Sequence, residues 1–381
     1  MAAHTGAAFV PHLEVAMTVL SKAAENWHPL IKSECADAFA SMVVPSIAQY
    51  SGGEIKWEKG DITSENPMNP HTIAVVKAVL DQLLKLMVDE DQETVGKACE
   101  GIQAVIERCG PHAILPIAET CIKNTLDLIN RRAPCQIAHV VEGVNEEDEE
   151  HDPFMTSVCD LIGSFARVMG AQFSSQLGTF LPPVCNFAKS SRPASDRSMA
   201  IGCLGEIAQE MGASIGEYFQ PIFLPAILAG LSDEDDNVKR NGAFCAGVCA
   251  EGLTTSISAQ YYPQLLQALS PLFAMDTSTD ARKACIDNAA AAISRMIMAS
   301  PSDVPLAQVL PVVLKSLPLK NDFTENETVY KCLLGLISMN NPDAAALKEE
   351  MRRVFTEAVS PGSKVDDEIK VQLNSALPSL A

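Results

Sequence analysis

One unit recurs along this chain, and no other feature limits its fold as tightly. The clearest copy is residues 231–252, LSDEDDNVKRNGAFCAGVCAEG. An acidic turn, Asp233-Glu234-Asp235-Asp236, opens it, and Val238, Phe244, Cys245, Val248 and Cys249 follow at helical spacing. Asp235 and Asp236 stand where a helix N-terminus favours negative charge, and Gly252 where a chain leaves a helix through a left-handed residue. Similar closings end at Gly110 (GIQAVIERCG), Gly170 (LIGSFARVMG) and Gly212 (CLGEIAQEMG). Upstream of most lies a second helical run with an internal proline: Pro116, Pro182, Pro225, Pro263 or Pro311. Polar or acidic turns join the two runs, at Asp89-Glu90-Asp91, Asp196, Asp233 to Asp236, Asp280, Asp322 and Asp366-Asp367. A single proline would be a kinked helix; five at matching positions make a repeat.

Over its cleanest part the spacing is about 40 to 45 residues, the period of HEAT-type helix pairs. One pair cannot bury its apolar face alone, so neighbours must stack. The expected fold is therefore all-α: a HEAT-repeat α-solenoid, a right-handed superhelix of antiparallel helix pairs. It should run through residues 1–381 as one continuous array of about eight pairs. Helices are expected at 13–26, 30–50, 73–88, 93–109, 115–130 and 154–169. The most regular repeats follow at 179–211, 219–251 and 262–298. The last two pairs are expected at 308–317 with 327–339, and 344–359 with 367–377. The start of the chain shows little of the polar face that closes a solenoid, which reads as a piece of a longer array. Trp57, in the loop 51–69, is expected to pack on its own repeat.

Apolar residues make up 47% of the chain and aromatics 5%, which suits Ala/Leu/Ile-rich stacking and is far too apolar for a disordered segment. No apolar run reaches the roughly 18 to 20 residues that span a bilayer, so no membrane partner is expected. The 12 cysteines are scattered singly with no CxxC pair, Cys245 and Cys249 lie one helical turn apart with no histidine nearby, and all read as buried reduced thiols of a cytosolic or nuclear protein rather than as a metal site. Net charge is −20, which argues against direct nucleic-acid binding and for basic partners. There is no glycine-rich phosphate loop, HExxH or GxSxG, so neither an enzyme nor a cofactor is expected.

The stretch 134–153 breaks the period and holds Glu146, Glu147, Asp148, Glu149 and Glu150, a like-charge block too repulsive to fold alone. It reads as an acidic loop inside one repeat, either a solvated insertion or a soft contact for a basic ligand. The second helix of each pair should line the concave face. Its outward row, read every three or four residues, gives Ser198 and Glu206, then Asn241 and Glu251, then Asp287 and Asn288, then Glu325 and Asn326. Such a row offers acceptors to lysine ammonium groups or peptide amides. Taken singly, an Asn as readily ties its own turn.

Several segments resemble the C-terminal part of the karyopherin-β family of nuclear import receptors: RRAPCQ followed by EEDEEHD, KSSRPASDRSMAIGCLGEIAQEMGASIGEYF, DNVKRNGAFCAGVCAEG and MASPSDVPLAQVLPVVLKSLPLKNDF. The resemblance covers most of residues 70–340 and fades at both ends. It implies transport of basic cargo, notably core histones and ribosomal proteins, through nuclear pores, with residence in cytoplasm and nucleus. It further implies contact with nuclear pore components, and cargo release by the GTPase Ran through an N-terminal half not seen here. By match, Asn241, Asn288 and Glu325 correspond to a groove that takes lysine-bearing tails. The run Phe323-Thr324-Glu325-Asn326-Glu327 departs from the family's adjacent acidic residues at Thr324. The competing reading is a HEAT scaffold of a cytosolic phosphatase or ubiquitin-ligase complex.

Overall fold

The computed structural model describes residues 2–137 and 154–380, and helix is the only regular structure among them. We number the helices of two turns or more in chain order. The first half holds α1 (Leu13–Ala23), α2 (Pro29–Ser41), α3 (Val43–Tyr50), α4 (Pro70–Leu86), α5 (Gln92–Cys109), α6 (Ala118–Ile129), α7 (Phe154–Met169) and α8 (Leu177–Phe187). The second holds α9 (Ala194–Met211), α10 (Leu224–Leu231), α11 (Asp236–Gly252), α12 (Tyr262–Leu269), α13 (Asp280–Ala299), α14 (Leu306–Ser316), α15 (Asn326–Ser338), α16 (Lys348–Ala358) and α17 (Asp367–Ala376). They form two compact units, one reaching to Phe187 and taking in Ser191–Pro193, the other made of Ala188–Ser190 and the rest of the chain from Ala194.

Within each unit, second helices stack on second helices. In the first unit the row is α2, α5, α7; in the second it is α9, α11, α13, α15, α17. α7, packed against α5 and α6, buries nearly its whole girth. In α7 Met155, Val158, Leu161, Ile162, Phe165 and Val168 are all fully buried. Each such side chain contributes about 1.5–3 kcal/mol of transfer free energy. Where two helices approach backbone to backbone, small residues make room. Ala289, Ala290, Ala291 and Ala292 of α13 are at 0% exposure, and a Cβ added at Gly247 of α11 would stand 2.8 Å from the Ala292 Cα.

Prolines set the breaks in the first helices. Pro116 lies in a 3-10 turn ahead of α6, and Pro225 and Pro263 occupy the second positions of α10 and α12, where no amide proton is required. Pro182 and Pro311 lie inside α8 and α14. Pro45 changes an expectation. The single helix expected at 30–50 is two, α2 and α3, with Met42 between them. Pro45 has no N–H for the carbonyl four residues back, at Ser41, and its ring crowds that carbonyl.

The closing glycines are of two kinds. Gly110, Gly170 and Gly212 have φ of 78°, 51° and 51°. Gly252 does not adopt the expected left-handed conformation: α11 runs through it and leaves by an extended Leu253. Glycine is needed there for proximity, since a Cβ would lie 2.9 Å from the Gly212 Cα.

The loop 51–69 packs beyond its own pair. Trp57 lies over Gly110 at the end of α5, the Gly60 amide donates to Val168 O at 2.9 Å near the end of α7, and the His112 ring is 3.0 Å from Ser64 O. The expectation of Trp57 on its own repeat is corrected accordingly. Within the stretch 134–153, Pro134–Ile137 is a helical turn with Cys135 and Gln136 buried. Gln136 Nε2 holds it by donating to Leu128 O at 3.0 Å. Glu146, Glu147, Asp148, Glu149 and Glu150 lie outside the described residues.

Candidate functional site

The acidic turns between paired helices are where one repeat is fastened to the next. A residue of one second helix, near its start in three of the four cases, reaches the turn of the following pair. Lys32 of α2 pairs with Asp89 at 2.6 Å, and Arg197 of α9 grips Asp233 through two hydrogen bonds of 2.8 Å. Asn288 of α13 donates to Asp322 at 2.9 Å, and Asn326 of α15 donates to Lys364 O at 3.1 Å. Asp236 faces forward and receives Arg282 of α13 at 3.0 Å and Lys239 at 3.1 Å. Burial pushes the Asp233 and Asp236 carboxyls up, but the guanidinium and lysine partners outweigh it and hold both below the ordinary aspartate value.

This geometry changes the place of the predicted row. Asp287, Asn288, Glu325 and Asn326 are buried, at 0%, 2%, 5% and 3% exposure. They do not stand outward; they face the neighbouring repeat. The Asp287 carboxylate accepts the backbone amides of Lys320, Asn321 and Asp322 at 2.7–3.1 Å. Burial still raises its pKa above the usual range, with those amides pulling the other way. Arg295 of α13 lies between Glu251, 3.0 Å away, and Glu325, 2.9 Å away. Asn241 is half-buried and donates to Ser198 O at 2.7 Å and Ser198 Oγ at 3.1 Å, joining two predicted residues in a structural contact. Glu206 is half-buried on α9, and Glu251 is exposed. Three-to-four spacing marks one face of a helix. It has no means of telling whether that face meets water or the next helix, because a stacked helix has two buried sides.

An acidic face that the row did not include lies on the first unit. Glu93, Glu100 and Glu107 recur every seven residues on α5, so they share one side of the helix across four turns. Glu34 and Asp37 of α2 and Asp160 of α7 flank them. Lys97 answers part of this charge, 2.8 Å from Glu100 and 3.9 Å from Asp37, and Arg167 lies 3.3 Å from Glu107. Ser157 donates to Glu100 at 3.0 Å, and Ser164 donates to Glu107. Carboxylates remain in excess. Asp37 is raised by burial, with Lys97 opposing and Glu100 and Glu34 reinforcing; Asp160 is raised by burial and then by Glu100 and Glu107. A cation laid along this face would relieve that repulsion. The seven-residue glutamate spacing was legible in the sequence.

Among the described residues no group of three or more His, Cys, Asp or Glu is placed to hold a metal ion. Every cysteine but Cys185 is buried. Burial pushes the Cys109 and Cys121 thiols up to about 12 and Cys99 well above the ordinary value, so these are inert core groups.

Stacked helix pairs fastened through their turns define a HEAT-repeat α-solenoid. Known relatives narrow this further. The probable importin subunit beta-4 of Schizosaccharomyces pombe is 29% identical over 244 residues, 64% of this chain and 22% of that protein. Importin-4 of Mus musculus is 26% identical over 388 residues, 99% of this chain and 34% of that protein. The chain therefore spans about a third or less of the relatives it matches. Its fold matches importin beta with a TM-score of 0.72 at 14% identity, over 98% of this chain and 44% of that one. It matches Kap121p bound to Nup53p with a TM-score of 0.71 at 14% identity, and Kap121p bound to RanGTP with 0.68 at 15%. Those two comparisons cover 98% of this chain, and 32% and 33% of Kap121p. No protein-family model matches the chain. The resemblance to importin-4 runs over nearly the whole sequence, and the karyopherin solenoid is its fold.

Proposed function

We propose that this chain is the cargo-bearing part of a nuclear import receptor. It takes lysine-rich segments, such as core histone tails and ribosomal proteins, on carboxylate faces of its second helices. The observation that carries the reading is the seven-residue glutamate row of α5, flanked by Asp37 and Asp160 and only partly answered by Lys97 and Arg167. In the second unit half-buried Glu206 of α9 and Asn241 of α11 are assigned to a polar face of their own. Asp287, Asn288, Glu325 and Asn326 serve it from behind by fixing the turns, and Glu146 to Glu150 add a second acidic contact. The work is binding without chemistry. The same reading assigns pore-component and Ran contacts and passage between cytoplasm and nucleus, by likeness to the Kap121p complexes with Nup53p and RanGTP.

Titration with a fluorescent histone-tail peptide at rising salt tests this. Binding should weaken steeply as ionic strength passes the range where the Debye length falls to about 8–10 Å. Replacing Glu93, Glu100 and Glu107 together with glutamine should cut affinity while leaving the melt intact. Absent binding at low salt rejects the class. Full affinity in the triple variant rejects the face.

A further inference from the structure

We propose that Ser360 is a phosphorylation site for a proline-directed protein kinase. The sequence holds three Ser-Pro dipeptides: Ser270-Pro271, Ser300-Pro301 and Ser360-Pro361. Ser270 and Ser360 are both exposed and Ser300 is buried, but what flanks each serine differs. Ser270 continues α12 into a 3-10 turn, and Leu269 and Leu272 beside it are 0% and 1% exposed. Ser300 caps the end of α13, is 8% exposed, and donates its hydroxyl to Asp303 at 2.5 Å. A kinase must draw its substrate into an extended strand, and at either serine that means pulling core leucines or a capped helix end out of the stack.

Ser360 needs a smaller opening, because within three residues of it only Ala358 is buried. Ser360, Pro361 and Gly362 are exposed and follow directly on the last turn of α16. Gly362 has φ of 85°, and Ser363 N donates to Ser360 O at 3.2 Å, so the segment is a surface turn. N-terminal to Ser360 the last turn of α16 is anchored by Phe355 and Ala358, so the opening falls mainly on the exposed C-terminal side. Lys364, four residues on, is exposed and supplies a basic group on the C-terminal side. The hydroxyl is engaged only with Glu357 O, at 2.7 Å.

In the reaction Ser360 Oγ bonds to the γ-phosphorus of ATP as the bond from that phosphorus to the β-bridging oxygen breaks. ADP leaves, and the hydroxyl proton passes to the kinase's catalytic carboxylate. The product replaces a donor at the end of α16 with a dianion. That end of the helix carries the negative pole of its dipole, so the phosphate loosens it. Lys370 reaches across the same turn to Ser363 O at 3.4 Å, and offers the phosphate a partner on α17. The device would thus act on how the last two helices are joined.

The test is to incubate the intact native chain with a cyclin-dependent kinase and ATP and to map phosphate by peptide mass spectrometry. Three synthetic peptides spanning the three dipeptides serve as unfolded references. In the native chain, Ser360 should be modified about tenfold or more faster than Ser270 or Ser300, the ratio that a 1.4 kcal/mol difference in opening cost produces. The three peptides should differ far less. Ser360→Ala and Pro361→Ala should each abolish incorporation while leaving the thermal melt unchanged. No incorporation into the native chain, or equal incorporation at Ser270 or Ser300, overturns the proposal.

Discussion

Arg197 and Asp233 are 36 residues apart and meet through two parallel hydrogen bonds of 2.8 Å, with side chains only 9% and 12% exposed. A planar guanidinium matches a carboxylate in this way, and lysine does not. Removing one partner leaves the other charge half-desolvated. Arg197→Ala should therefore cost about 3 kcal/mol, and Arg197→Lys somewhat less. Denaturant unfolding checks both. The joint replacement Arg197→Met with Asp233→Leu should be milder than either single change, because no charge is stranded.

Two glycines in second helices should respond oppositely to alanine. At Gly247 the new Cβ would stand 2.8 Å from the Ala292 Cα, a backbone atom that moves only with α13, so Gly247→Ala should cost about 1–3 kcal/mol. At Gly335 nothing lies within 4 Å, and Gly335→Ala should stabilise α15 by about 0.5–1 kcal/mol. Thermal melts of the two variants should move in opposite directions.

Asp287 holds three successive backbone amides of the turn at 320–322. Asp287→Ala strands them in a buried place and should cost about 1–3 kcal/mol for each donor that water does not reach. Hydrogen exchange at Lys320, Asn321 and Asp322 should accelerate more than exchange in α11. Uniform acceleration along the second unit would assign the loss to the helix stack instead of the turn.

Asp160 is raised by burial and by Glu100 and Glu107, so its ionised form is disfavoured in the folded chain. A carboxyl raised on folding destabilises above its folded pKa, and the penalty disappears as pH falls to the unfolded value. Asp160→Asn should therefore stabilise at neutral pH, by about 0.2–0.5 kcal/mol as expected for relief of like-charge repulsion on helices. The advantage should vanish below about pH 4, where aspartate is protonated in both states. Asp233 and Asp236 carry the opposite sign: their lowered values give stability above the ordinary aspartate pKa that is lost as pH falls through the folded value.

Much of the fold was legible because it is periodic. Prolines at 116, 182, 225, 263 and 311, acidic turns after them, and glycines at 110, 170 and 212 give the pairing of helices without any long-range information. The misreadings came from single residues with nonlocal or steric roles. Pro45 splits a helix through a clash with one carbonyl, and Gly252 is chosen by the approach of Gly212. Trp57, in the loop ahead of α4, lies over Gly110 at the end of α5. The glutamate row at 93, 100 and 107 is legible in the sequence, since a seven-residue period keeps to one helix face.

The sequence by itself determined that this protein stacks helix pairs, because a 3.6-residue apolar pattern with regular punctuation has no other way to bury its surface. Tertiary structure alone decided which polar residues face outward. A helix in a stack is covered on two sides, and identical spacing serves a ligand or a neighbour equally well. That is why Asp287, Asn288, Glu325 and Asn326 fasten repeats together, while Glu93 and Glu100 stand exposed to water.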